Sequence, residues 1–128
     1  MTRCALTAAA CVWLAAAAPA FAQDSRPFPA DALRGELVVT LPPEVLLNGQ
    51  PSRLAPGARI LDQRNLLQLS GGIVGQRLLV NYTLDSAGQP LTVWILTPAE
   101  AARQPWPRTR AEAQSWLFDP AAQAWVKP

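Results

Sequence analysis

The chain has 128 residues, with 11 Lys and Arg against 9 Asp and Glu, no histidine, two cysteines and one methionine. That length suits one domain and leaves no room for a second independent core. The near-neutral balance excludes the strong basic field of a protein that tracks nucleic-acid phosphates, and the lack of imidazole removes the commonest general base and metal ligand.

Met1 to Ala22 reads as a secretory signal peptide. Arg3 supplies the positive start, Ala5 to Ala18 the apolar stretch, and Ala20-Phe21-Ala22 the small-x-small cleavage pattern. Cleavage after Ala22 would leave a periplasmic or secreted protein of about 106 residues. Cys4, Cys11 and Met1 leave with the signal, so the exported part has no thiol, imidazole or thioether and cannot form a disulfide. Two other readings of this segment compete. Ala8-Ala9-Ala10-Cys11 has the outline of a lipidation box without its usual leucine, and the whole stretch is short for an uncleaved anchor. No later segment is apolar enough for a transmembrane span. Loss of Arg3 leaves ten basic residues against nine acids, every base except Lys127 being arginine.

Residues 23–32 carry two prolines and no periodicity, and read as an extended lead-in. Gly35 to Leu41 is β-branched and apolar, a strand closed by Pro42-Pro43. A short strand over Glu44 to Leu47 runs into Asn48-Gly49, the strongest local hairpin signal, because both residues tolerate positive φ. The returning strand is expected at Ser52 to Leu54 or Ala58 to Leu61, with a turn at Ala55-Pro56-Gly57. Leu66 to Leu69 is another short strand. The glycines of Ser70 to Gly75 lack the spacing of a phosphate loop and read as a turn or corner. In Gln76 to Leu84 the residues Leu78, Val80, Tyr82 and Leu84 alternate with a more polar set, which puts one face in a core. After a hairpin loop at Asp85 to Gln89, Leu91 to Thr97 is apolar on both faces and must be central or covered.

Thr97-Pro98-x-Glu100 has the spacing of a capping box, so a short helix is expected up to Arg103. Thr109 and Glu112 repeat the pattern for a second one. Trp116 to Phe118, a turn at Asp119-Pro120, and Gln123 to Lys127 make a terminal hairpin. The fold class is mainly β: a small barrel of about five or six strands at 33–97, followed by a Trp-rich extension at 98–128 with short helices and a hairpin, packed on the barrel. VLLNGQPSRLAPGARI, followed by GQRLLVNYTLDSAGQPLTVWIL, resembles the small secreted OB-like β-barrel proteins of Gram-negative bacteria. The function of those proteins is unknown, so the resemblance implies a barrel and brings no active-site motif.

The catalytic inventory is thin. The acids are scattered over turns and helix starts, where they have structural work, and no serine motif has a base beside it. No metal or other cofactor is expected, because the soft ligands are missing and Asp85-x-x-Gly88 lacks the other carboxylates of a calcium loop. One constellation rises above this background. Arg103, Trp106, Arg108 and Arg110 interleave with prolines, and Trp116, Phe118 and Trp125 follow. With Trp94 these residues are the candidate interaction surface, since Trp and Arg anchor interfaces and aromatic-basic surfaces also stack sugars or meet lipid headgroups. The expectation is a non-enzymatic envelope accessory or interaction module whose partner is an envelope protein or glycan, not a nucleic acid. The alternatives are an oligosaccharide-binding barrel with Tyr82, Trp94 and the Trp106 region as stacking platforms, and a carboxylate-dependent hydrolase.

Overall fold

A computed structural model describes residues 26–128. The expected signal segment with Cys11 and its cleavage site, and the start of the lead-in, lie outside the described residues. The elements run β1 (Leu33–Val39), β2 (Glu44–Leu47), β3 (Gln50–Arg53), β4 (Arg59–Leu61), β5 (Leu67–Gln68), a 3-10 turn (Ser70–Gly72), β6 (Leu78–Leu84) and β7 (Pro90–Ile95). Two short helices, α1 (Pro98–Ala101) and α2 (Arg110–Ser115), and a hairpin of β8 (Leu117–Asp119) and β9 (Ala124–Val126) complete the chain.

The class is mainly β, but the strand count and the closure differ from expectation. Seven strands form one sheet in the order β3-β2-β1-β6-β7-β4-β5, and the ladder does not close, leaving β3 and β5 as its edges. It is nevertheless strongly curled. The first strand of the order and the sixth are joined by the link from Arg53 to Arg59, while five strand spacings laid flat span roughly 24 Å. Six residue steps reach only about 21 Å even when fully extended, and this link contains a turn in which the Ala58 amide donates to the Ala55 carbonyl. The edges are blunted by composition instead of closure: β3 carries Pro51 and Arg53, and β5 is two residues long.

The turn at Asn48-Gly49 forms as its residue types demand, with φ of 53° and 78°. It places the returning strand at Gln50–Arg53, earlier than either expected position. The Asn48 side chain folds back so that its Oδ1 accepts from the Glu36 amide at 2.9 Å. Gly35 makes room for this. A Cβ there would lie 2.9 Å from both Asn48 Oδ1 and Tyr82 Cε1. Burial holds the Tyr82 hydroxyl above its ordinary pKa, with its hydrogen bond to Asn48 pulling the other way.

The central strands are covered at least in part on both faces. Leu33, Leu37, Val39, Val80, Tyr82 and Val93 join Val45, Leu54, Ile60 and Ile73 in a first core inside the curl. The opposite face of β6 and β7 lies under the C-terminal segment, where Phe28, Ala32, Leu96, Trp106 and Trp125 make a second core, with Trp94, Trp116 and Phe118 packed against it. This explains why LTVWILT is apolar on both faces. It also shows that the lead-in belongs to the fold, because Phe28 and Ala32 are fully covered. Each large aliphatic side chain so buried contributes about 1.5–3 kcal/mol, and the second core adds burial to a described segment that contains no cysteine.

Candidate binding cleft

The second core is an aromatic stack fastened at three points. The ring centroids of Phe28 and Trp94, Phe28 and Trp106, and Trp106 and Trp125 lie 5.5, 5.8 and 6.0 Å apart with edge-on geometry. Phe118 stacks on Trp125 at 4.7 Å. The first fastening is Trp106, whose Nε1 donates to the Ala32 carbonyl at 2.9 Å. The second is Gln123, at the hairpin tip with φ 51°; its Oε1 accepts from the Phe28 amide at 2.7 Å and its Nε2 donates to the Phe28 carbonyl at 3.3 Å. The third is Glu100.

Glu100 closes the expected capping box at the start of α1, accepting from the Thr97 amide while the Thr97 hydroxyl accepts from the Glu100 amide. Its carboxylate is fully buried and forms an ion pair with Arg26 at 2.8 Å. Four donors converge on it: the Thr97 amide, and the Arg26 amide, Nε and Nη2. Burial alone would raise its pKa. The hydrogen bonds from Arg26 and Thr97 and the Arg26 charge outweigh that and hold it below the ordinary carboxylate range. The remaining guanidinium donors of Arg26 reach the carbonyls of Asp62 and Ile95.

The other acids also have local work. Asp85 Oδ1 accepts from the Ala87 and Gln89 amides of its loop, Asp62 Oδ1 from the Arg64 and Leu66 amides, and Asp119 from the Ala121 amide. Among the described residues no group of three or more acids, cysteines or histidines could hold a metal ion, and no helix is long and apolar enough to cross a membrane.

Above the second core lies a cleft of about 310 Å³ whose lining includes Arg34, Trp106, Arg108, Glu112, Trp116 and Lys127. Gln104 and Pro105 form part of its wall. Arg34 is its floor. It sits on the outer face of β1, only 4% exposed, with its guanidinium 5.2 Å from the Trp106 ring centroid. Nε donates to Asn81 Oδ1 at 2.8 Å, Nη1 to the carbonyls of Ala101 and Arg103 at 3.3 Å, and Nη2 to the Glu100 carbonyl at 3.2 Å. The end of α1 thus presents its carbonyls to a cation, the favourable polarity for a helix C-terminus. Burial first, then the charges of Arg108 and Arg103, lower the Arg34 pKa to about 10, against the opposing pull of Glu100. Arg34 is still protonated at neutral pH. Lys127 lies over the half-buried Trp116 ring at 5.2 Å.

The structure therefore divides the residues singled out in the sequence. Trp106, Arg108 and Trp116 meet at the cleft. Trp94 is half-buried against Phe28 and lies away from the cleft lining, and Trp125 is core at 5% exposure, so its ring is not open. Arg103 is half-buried, donates to the Arg26 carbonyl and lines a smaller depression with Trp125. Arg110 points to another groove and donates to the Asp85 carbonyl. Tyr82 is 3% exposed in the first core and cannot serve as a stacking platform. Arg34 and Lys127 were invisible as site residues. Arg34 looks like an ordinary polar position of a strand, and Lys127 reaches the cleft only because the terminal hairpin folds back. No family model, curated protein or solved structure matches the chain.

Proposed function

We propose that the protein is an exported, non-enzymatic accessory of the cell envelope that works by binding, and that the cleft over Arg34 is its binding surface. One observation carries this reading: positive charge collects there without ion-pair partners among the described residues. Among the described residues the ion pairs are Arg26–Glu100, Arg53–Glu44 and Arg77–Glu36. Arg34, Arg108 and Lys127 take part in none of them, although they share one cleft with the indole of Trp116. A cluster of like charges beside an accessible aromatic ring costs folding energy through self-repulsion, and a ligand of opposite charge relieves that cost. Export on the N-terminal segment belongs to the same proposal.

The test compares the wild-type protein with the charge-reversed Arg108→Glu/Lys127→Glu form. Both are immobilised, exposed to solubilised envelope material from the producing cells, and the retained protein and polysaccharide are quantified. Retention that collapses on charge reversal, with thermal unfolding at or above the wild-type temperature because the self-repulsion is relieved, is the expected result. Equal retention by both forms would remove the cleft from consideration. N-terminal sequencing of the protein from a periplasmic fraction should begin at Gln23, and a chain retained in the cytoplasm would contradict export.

A further inference from the structure

We infer that the group held in this cleft is the carboxylate of an acidic sugar residue, an inference that rests on the reading of the cleft as the binding surface. The charge around the cleft is one-sided, with Arg34, Arg108 and Lys127 against the single acid Glu112. A guanidinium has five N–H groups, and Arg34 directs four hydrogen bonds to protein oxygens, which leaves one N–H on Nη2. Asn81, whose Oδ1 accepts from Arg34, is itself 0% exposed, and its amide nitrogen has no acceptor among the described residues. The same is true of Nε1 of Trp125, whose ring lies 6.0 Å from that of Trp106 and 6.5 Å from that of Trp116. Both of these buried groups are donors, and neither residue lines the cleft itself. The acid at the cleft, Glu112, is tied to the cap of α2, where Thr109 Oγ1 donates to its Oε1 at 3.4 Å and accepts from its amide at 3.1 Å.

Three cations against the one acid Glu112 in the lining select an anion. The planar fork of the exposed Arg108 matches a carboxylate, which it can grip through parallel N–H bonds, and the one remaining N–H on Arg34 Nη2 adds a single donor from the floor. A cleft of about 310 Å³ is at the small end for ligand sites, so it admits one ring or one acidic group and not a broad protein face. Trp116 supplies the second half of the recognition. The electron-rich face of its indole attracts polarised C–H groups as it attracts the Lys127 ammonium. A pyranose laid on that face displaces Lys127, whose flexible stem lets the ammonium swing to the carboxylate.

The experiment titrates the purified native protein with an oligogalacturonate hexamer, read by tryptophan fluorescence and calorimetry. Maltohexaose and inorganic phosphate serve as the neutral-sugar and plain-anion comparisons. The expected result is a saturable signal with oligogalacturonate alone, weakened by salt, and reduced about tenfold or more by Arg108→Ala, which removes a charge-assisted hydrogen bond. Arg108 is exposed and free of ion pairs among the described residues, so this variant should unfold at or above the wild-type temperature. Trp116→Ala should abolish the fluorescence change and weaken the calorimetric affinity. Equal binding of maltohexaose, a response to phosphate only, or no response to the uronate would each overturn the assignment. If the uronate fails while charge reversal still abolishes envelope retention, the ligand class is wrong and the cleft stands. If charge reversal has no effect on retention, the underlying reading falls with it.

Discussion

Glu100→Gln keeps the side-chain shape and removes the charge, and it should be the most damaging conservative change outside the hydrophobic cores. The wild-type carboxylate receives two donors on each oxygen: the Arg26 amide and Nε on Oε2, and Arg26 Nη2 and the Thr97 amide on Oε1. A carboxamide has one oxygen, so its NH₂ must face one of those pairs, and two donors lose their acceptor. Hydrogen bonds to charged groups are worth about 1.5–3 kcal/mol each, which would put the loss at roughly 3–6 kcal/mol. The Arg26 side chain is 14% exposed, so water recovers part of it, and about 3–4 kcal/mol is the working figure, in line with breaking a buried pair. For a domain of this size that lowers the thermal midpoint by roughly 15–25 °C. Urea unfolding followed by tryptophan fluorescence reads it as a shift in midpoint at constant m. A loss below about 1 kcal/mol would refute the claim that this ion pair pins the lead-in to the fold. The pH dependence supplies a second check. The Glu100 carboxyl is held below the ordinary carboxylate range, so its contribution is present above the unfolded value and fades as pH falls through the folded one. The acid limb of the wild-type stability curve should flatten in Glu100→Gln.

Two further substitutions test the two cores separately. Trp106→Ala removes the centre of the aromatic stack and the Nε1 bond to Ala32, and should cost about 3–5 kcal/mol in denaturant unfolding; a cost near zero would mean that the C-terminal segment is not fixed to the sheet. Gly35→Ala forces a Cβ against Asn48 Oδ1 and the Tyr82 ring, a local overpacking of about 1–3 kcal/mol. Asn48→Ala in the same background should recover part of that loss, which a double-mutant cycle measures, and strict additivity would show that the contact is not the cause.

The amino-acid sequence by itself determined the local elements. Asn48-Gly49 has few alternatives to a tight hairpin because both residues accept positive φ, and Thr97 and Glu100 specify a helix start through bonds that span three residues. The alternation of Leu78, Val80, Tyr82 and Leu84 identified a core face, and the doubly apolar run at Leu91 to Thr97 announced that a second layer had to exist. These signals are short-range, so one stretch of chain contains them whole. Tertiary structure alone decided that seven strands would form an open, curled sheet, because closure depends on which distant edges meet and on how short the link from Arg53 to Arg59 is. It also decided that Arg26 would bury its charge against Glu100, 74 residues away in the chain. The cleft is of the same kind. Arg34, Trp106, Arg108, Trp116 and Lys127 come from β1, the link after α1, the end of α2 and the C-terminus. The burial and charge crowding that lower the Arg34 pKa arise only when packing brings those segments together, since desolvation and Coulomb forces depend on distance in space and not on separation along the chain.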